Sequence, residues 1–324
     1  MITKCWQIDK DNPQDQIIEQ AAALLKRGEL VAFPTETVYG LGADAYNSEA
    51  VKQIFEVKGR LPQSPLLVHV SRLDQVHHLV AVIPPLARDL IERFWPGPLA
   101  IILPASSRVP REVSGGQPTV GLRMPAHPVA LALIDKAGPL AAPSANLSGR
   151  PSPVTANHVC DDLDGQIAAI LDAGPTGIGL ESTVLDLSQA KPAMVRLGSV
   201  PLEELQQLLN CPLEVPTRIK QTYKTGQLTI TLCDDMAQWG QILSTDPSDG
   251  TALVYYGEYP QSGLVKGWTI YKLNLQGQTT DLFTILRDAE TRGLAKLIFA
   301  PLPTDLTGLA SSLAERIKRA AGVV

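Results

Sequence analysis

Short apolar runs and amphipathic stretches alternate along almost the whole chain, and that alternation limits the fold more than any other feature. Asn12-Pro13, then Ile17, Ile18, Ala21, Leu24 and Leu25, then Gly28, predict a helix with one apolar face and a glycine just past its end. A strand over Glu29–Phe33 follows at once. Further strands are predicted over Leu66–Val70, Leu99–Leu103 and Thr119–Met124, near Leu140, and over Ala168–Asp172, Ser182–Leu187 and Met194–Leu197. Helices are predicted after Asn47 and over Arg72–Val80, Pro85–Phe94, Pro128–Lys136 and Pro201–Leu209. Several strands adjoin one another without a helix between them, so the layered sheet is expected to be mixed rather than strictly parallel.

Between Cys211 and Gly226 the pattern lapses into Pro, Thr and Lys without a period, which reads as a linker. It then restarts with strands over Leu228–Leu232, Ala252–Tyr255, Thr269–Leu273 and Lys296–Ala300, and helices over Asp235–Leu243, Thr280–Arg292 and Gly308–Ala321. The chain is therefore read as α/β throughout. A twisted mixed-sheet domain occupies 1–211, a linker 212–227, and a small doubly wound, Rossmann-like α/β domain 228–324. A length of 324 residues suits two such domains.

Composition narrows the function classes. Hydrophobic content of 44% with 19% charged residues excludes a disordered or coiled-coil protein. A net charge of -5 argues against an extended nucleic-acid surface, so any anion site must be a local pocket of a few basic residues. Cys5, Cys160, Cys211 and Cys233 lie far apart, suggesting neither a zinc site nor a disulfide framework. With a polar N-terminus from Met1 to Asp15 and no apolar run of bilayer length, a cytoplasmic protein without membrane contact is expected.

Chemistry is expected where polar residues interrupt the apolar runs. Phe33-Pro-Thr-Glu-Thr-Val-Tyr-Gly-Leu-Gly-Ala-Asp44 reads either as an ordinary turn with a glycine-rich exit or as a loop of hydroxyls and bare amides suited to carboxylate or phosphate oxygens, with glycines that let that wall move. Lys58-Gly-Arg60 suits either a polyphosphate or a solvated helix end. On the strand from Thr119 to Met124 one face carries Val120, Leu122 and Met124. The other carries Thr119, Gly121 and Arg123, a face built for ligand or for solvent. His69 lies in an apolar strand, where a structural role and a functional one both remain open. Ala142-Pro-Ser-Ala-Asn-Leu-Ser-Gly-Arg-Pro-Ser-Pro153 is a second polar loop, either a donor-lined nucleotide wall or a connector. Glu181-Ser-Thr183 and Arg196 add a hydroxyl and a cation at strand ends. GxxxxGK[ST], HExxH and GxSxG are all missing, so a nucleotide user here must employ a less common scaffold.

Taken together these segments resemble the YrdC-domain family in its longer two-domain form. The matching stretches are Pro34–Gly42, Lys58-Gly-Arg60 with Pro65–Val70, Trp95-Pro-Gly-Pro98, Val120–Pro128, Ala142–Asn146 with Pro151-Ser-Pro153, Glu181-Ser-Thr183 and Arg196-Leu-Gly198, in the family's order. In the C-terminal part the likeness rests on Gly308-Leu-Ala310 and Arg316–Ala321.

The resemblance implies a nucleotidyltransferase that makes L-threonylcarbamoyladenylate and pyrophosphate from L-threonine, bicarbonate and ATP. The product would feed the N6-threonylcarbamoyladenosine modification of tRNA through a downstream transfer machinery, with Mg2+ accompanying ATP. By the same resemblance Thr37, His69, Arg123, the Ala142 backbone and Ser182 form the threonine set. Arg60, Ser64, Thr119, Ser144, Ser152, Arg196 and Tyr223 form the ATP set. Lys58 and Arg60 are cast as the catalytic cations, Asn146 as a brace of its loop, and no protein metal ligand is implied.

This chain departs from the family's pattern at Leu61 and Ser64, and in the linker, where Pro216 and Tyr223 alone remain of a Pro-Gly…Tyr-x-His-Tyr-x-Pro stretch expected to cover the nucleotide. Two other readings are a non-catalytic RNA- or nucleotide-binding module and a carbamoyltransferase relative, whose zinc-finger and acylphosphatase segments the sequence lacks.

Overall fold

The computed structural model describes residues 2–215, 222–257, 267–275 and 280–323, leaving out the side chains of 280 and 281. It divides into two compact units, Met1–Ser148 with Ser152–Pro216, and Gly149–Pro151 with Thr217–Val324. Pro216 and residues 217–221 of the expected linker lie outside the described residues.

In the first unit ten strands form one sheet: β1 (Lys4–Gln7), β2 (Val31–Phe33), β3 (Gly40–Asp44), β4 (Leu67–His69), β5 (Leu99–Pro104), β6 (Thr119–Arg123), β7 (Leu140–Ala141), β8 (Ala169–Asp172), β9 (Thr183–Asp186) and β10 (Ala193–Arg196). Their spatial order is β1-β8-β2-β3-β7-β4-β6-β5-β9-β10. The sheet is mixed, as the adjoining strand patterns required. The pairs β1/β8, β2/β8, β4/β6 and β5/β9 are parallel, and the remaining neighbours run antiparallel.

Strand alternation feeds two apolar cores. Val31 and Phe33 pack with Ile18 and Leu25 of α1 (Asp15–Lys26) and Leu133 of α6 (Pro128–Ala137). Ala32, Leu41 and Val68 point the other way, toward α2 (Ser48–Lys58), α3 (Leu73–Leu79), α4 (Pro85–Phe94), α7 (Ala156–Leu163) and α8 (Leu202–Leu209). A short helix, α5 (Arg111–Ser114), precedes β6. Helix α2 shows how local sequence sets the boundaries that matter later. The Asn47 side chain accepts from Glu49 N and Ala50 N at its start, and Gly59 ends it in the left-handed region at φ 57°.

In the second unit β11 (Thr229–Leu232), β12 (Thr251–Tyr256), β13 (Thr269–Leu273) and β14 (Lys296–Phe299) form a sheet ordered β11-β14-β12-β13, with every pair parallel. Helix α9 (Met236–Leu243) lies between β11 and β12, α10 (Thr280–Thr291) between β13 and β14, and α11 (Gly308–Ala321) follows β14. Parallel pairing requires such crossovers, so this half has the doubly wound form its periodicity predicted.

Four elements escaped the sequence pattern: β1, β3, α5 and α7. The most consequential is β3, because it occupies half of the stretch read as a turn. Gly40 and Gly42 suppress its strand signal, yet both are packing positions. The Phe33 ring lies across them, and a Cβ would fall 3.2 Å from Phe33 Cζ at Gly40 and 2.9 Å from Phe33 Cε1 at Gly42. These glycines therefore admit an aromatic ring rather than loosen a wall. Gly121 behaves alike, since a Cβ there would sit 2.5 Å from Leu67 Cδ2. Its bareness serves a cross-strand leucine, not a ligand.

Gly42→Ala is expected to destabilise the protein by about 1–3 kcal/mol through overpacking. In a Phe33→Leu background the same substitution should cost much less. Urea denaturation of the four-member cycle checks this, and additive effects would disprove the ring's role.

Candidate functional site

The polar segments converge in the first unit because their backbones are hydrogen-bonded to one another. Leu41 N donates to Pro143 O (2.8 Å), Ala145 N to Tyr39 O (2.8 Å) and Tyr39 N to Pro153 O (2.9 Å), so the two polar loops run side by side. A third segment joins through Ile178 N to Glu36 O (2.7 Å) and Gly179 N to Thr37 O (2.9 Å). The Tyr39 ring anchors the junction; its fully buried side chain donates from its hydroxyl to Gly174 O at 2.7 Å, and burial pushes its pKa up.

Together they enclose a cleft with an empty volume of about 670 Å³ including its open mouth. Its wall contains Thr37, Arg60, His69, Arg123, Ala142, Ser144, Ser182 and Arg196. The structure thus brings together eight of the positions named from sequence, drawn from segments spread over 160 residues of chain.

Arg123 is the deepest cation on this wall, with 3% of its surface exposed. Its Nε donates to Gly97 O at 3.1 Å and its Nη1 to Thr37 Oγ1 at 2.9 Å. Thr37 Oγ1 also lies 2.8 Å from Thr35 Oγ1, which donates to Val38 O at 2.6 Å. His69 adjoins Arg123 in register across β4 and β6 and meets the Phe33 ring edge-on at 6.2 Å. Burial, reinforced by the Arg123 charge, brings the His69 pKa down to about 3, so its imidazole is neutral at neutral pH.

The other cations divide their tasks. Gly59 turns the chain so that Arg60 faces the cleft, where its Nη2 donates to Pro65 O at 3.2 Å and desolvation lowers its pKa. Arg196 clamps Ser182, giving Nε to its carbonyl and Nη2 to its hydroxyl, each at 2.9 Å. Leu197 and Ser199 flank a close crossing there, since a Cβ on Gly198 would lie 2.3 Å from Thr183 N.

Five named positions lie off the wall. Lys58 is buried beneath it, its Nζ donating to Ser144 O at 2.5 Å and to Asn146 O. Ser152 is buried and donates to Glu181 Oε1 at 2.9 Å. Thr119 begins β6 opposite Pro104, and Ser64 closes a turn through its N–H to Leu61 O. Tyr223 belongs to the second unit, where its ring meets Phe283 edge-on and lies 4.2 Å from the Arg319 guanidinium carbon. Asn146 does brace its loop, donating to Leu147 O at 2.8 Å.

Sequence reasoning missed Thr35, Glu36, Glu181 and the Gly97 carbonyl as parts of this site. Trp95-Pro-Gly-Pro98 was visible only as a matching stretch; its physical task is to present a carbonyl to Arg123. Gly97 suits it, because a Cβ there would lie 2.2 Å from Phe94 O.

Comparison with known proteins agrees with the fold. The Sua5/YciO/YrdC family model, described as "Telomere recombination", matches residues 23–198. A Bacillus subtilis threonylcarbamoyl-AMP synthase is 38% identical over 350 residues, covering 99% of each chain. A Pyrococcus abyssi threonylcarbamoyl-AMP synthase is 52% identical over 193 residues, covering 59% of this chain and 57% of its own length. A crystal structure of Pyrococcus abyssi Sua5 complexed with L-threonine superposes with a TM-score of 0.88 at 34% identity, covering 99% of this chain and 98% of that one.

The neutral His69 has a measurable consequence. Its pKa is depressed in the folded protein, so as pH falls below 6.5 the unfolded chain takes up a proton that the native state refuses. Wild type should therefore lose stability toward pH 3, by up to about 1.4 kcal/mol per pH unit from this group. Urea unfolding of wild type and His69→Gln from pH 7 to pH 4 should show their difference shrinking as pH falls. A difference independent of pH would mean that His69 is not held neutral.

Proposed function

The chain belongs to the Sua5/YciO/YrdC family, and from that premise we propose that it condenses L-threonine, bicarbonate and ATP into L-threonylcarbamoyladenylate and pyrophosphate. The observation that carries this reading is the cleft itself. It sets a buried guanidinium, two threonine hydroxyls and a neutral imidazole beside two further arginines and a serine-bearing loop. The first group suits the carboxylate and side chain of a small amino acid, and the second suits a triphosphate.

The chemistry asks for positioning more than for a protein nucleophile. The threonine ammonium and bicarbonate give a carbamate, a water and a proton. A carbamate oxygen then attacks the α-phosphorus, a new P–O bond forms, and the bond to pyrophosphate breaks. Charge accumulates on the phosphoryl oxygens, where fixed cations lower the barrier. Arg123 holds the threonine carboxylate, with Thr37, His69, Ser182 and the Ala142 backbone around it. Arg60, Ser144 and Arg196 face the nucleotide, with Ser64, Thr119 and Ser152 as further members of that set. Lys58 acts from beneath, through the loop carbonyls it grips.

Mg2+ enters as part of the substrate, held by triphosphate oxygens that suit a hard cation. Among the described residues no group of three or more His, Cys, Asp or Glu side chains could hold a metal ion. Threonylcarbamoyladenylate is then passed to the machinery that modifies tRNA, a nucleotidyl transfer we place in the cytoplasm. No described helix is long and apolar enough to cross a membrane.

Incubation with ATP, L-threonine and labelled bicarbonate should release pyrophosphate only when threonine is present. Binding of both substrates without pyrophosphate would instead indicate a binding module. Arg123→Ala should raise the threonine KM by about thirtyfold or more, roughly 2 kcal/mol, while the ATP KM changes little. The reverse pattern in steady-state kinetics would exchange the two subsites.

A further inference from the structure

Glu36 stands against the central cation of the cleft. Its Oε2 lies 2.7 Å from Arg123 Nη2, with the two side chains 12% and 4% exposed. Yet both Glu36 oxygens and that nitrogen are buried without a hydrogen bond, so the contact is close but misaligned. A carboxylate so placed would ordinarily accept several N–H groups. Here charge alone holds it.

Its neighbours offer no alternative. The Thr35 and Thr37 hydroxyls are engaged with each other, with Val38 O and with Arg123 Nη1. His127 lies close enough to feel the Glu36 charge, but its Nδ1 accepts from Val129 N. Among the described residues, Glu36 forms its ion pair with Arg123 alone.

A buried guanidinium needs a counter-charge while the cleft lacks substrate, and it gains a second one when an α-carboxylate arrives. We propose that Glu36 is a positioning residue that stands in for the substrate carboxylate. It neutralises Arg123 in the empty cleft and cedes part of the guanidinium when the amino acid binds. Because the pair lacks hydrogen-bond alignment, little directional energy is lost when it loosens. The inference rests on the assignment of Arg123 to the threonine carboxylate. It adds that affinity for threonine is held below what Arg123 alone would provide, in exchange for a stable empty site.

Glu36→Gln keeps the shape and removes the charge. By calorimetry without ATP it should bind threonine roughly tenfold more tightly than wild type, since the incoming carboxylate meets an uncompensated cation. The unliganded variant should melt at a lower temperature, and threonine should raise its Tm by more than it raises that of wild type. The threonine KM should fall without a matching rise in kcat, and ATP affinity should stay constant, which also verifies the fold. Glu36→Asp, which retains the charge, should bind threonine much as wild type does. Weaker or unchanged threonine binding by Glu36→Gln, with ATP binding intact, would overturn the proposal and leave Glu36 a simple brace. Failure of wild type itself to bind threonine would instead bring down the amino-acid subsite on which the proposal rests.

Discussion

A guanidinium with only 3% of its surface exposed is tolerable when nearly every neighbour is arranged to receive it, and Arg123 imposes that demand on the whole first unit. Its Nε requires a carbonyl, so the chain between α4 and β5 turns tightly enough that only a glycine fits at position 97. Its Nη1 requires an acceptor, so the loop after β2 delivers the Thr37 hydroxyl, itself held by Thr35. Its charge requires an anion, which Glu36 supplies. Two distant segments, the loop after β2 and the turn at Gly97, are thereby committed to one point, and the first of them also walls the cleft.

The walls themselves are held mainly by backbone. Loops rich in Pro, Ser and Ala have little apolar surface to bury, so their order comes from amide-to-carbonyl bonds made between loops rather than within them. Leu41 to Pro143, Ala145 to Tyr39 and Gly179 to Thr37 leave the small side chains of Ser144 and Ala142 at the cleft surface. Lys58 completes this arrangement from below. Its ammonium, nearly excluded from water, is satisfied by the carbonyls of Ser144 and Asn146. A cation under that loop fixes its shape and adds positive potential to the wall in a low-dielectric setting.

Much of the fold was legible because most elements obey a single period. Helices α1, α2, α4, α6, α8 and α11 carry plain apolar faces, and nearly all the strands of both sheets stood out as apolar runs. What was lost follows one physical rule: β3 and the Gly121 position are defined by cross-strand packing, from Phe33 on the paired strand β2 and from Leu67 on β4, and residue type alone does not announce which ring or side chain will lie across a glycine. The cleft was legible in its hydroxyls and arginines, since those residue types have few reasons to interrupt apolar strands. Lys58 shows the limit. A cation beside an arginine after a helix reads as a pair, yet Gly59 sends the two to opposite sides of the loop. The Gly97 carbonyl could not be read at all, because a backbone acceptor has no signature in residue type.

The charge pattern of the cleft reconciles an acidic chain with an anionic substrate. A net charge of -5 would repel a triphosphate if its balance were spread evenly. Instead Arg60, Arg123 and Arg196 are gathered on one wall with Lys58 behind it, while the nearby acids are already occupied, Glu36 by Arg123 and Glu181 by the Ser152 hydroxyl. His69 fits this scheme by remaining neutral. A further positive charge at that depth would raise the self-energy of the cluster, and burial together with the Arg123 field keeps the imidazole from taking a proton. Neutral His69 then contributes shape without adding to the repulsion, its buried Nδ1 having no hydrogen-bond partner among the described residues. Among these cations Arg123 is matched by a carboxylate, Glu36, while Arg196, Arg60 and Lys58 are held by the Ser182 hydroxyl and by backbone carbonyls, so their positions are fixed by the protein itself.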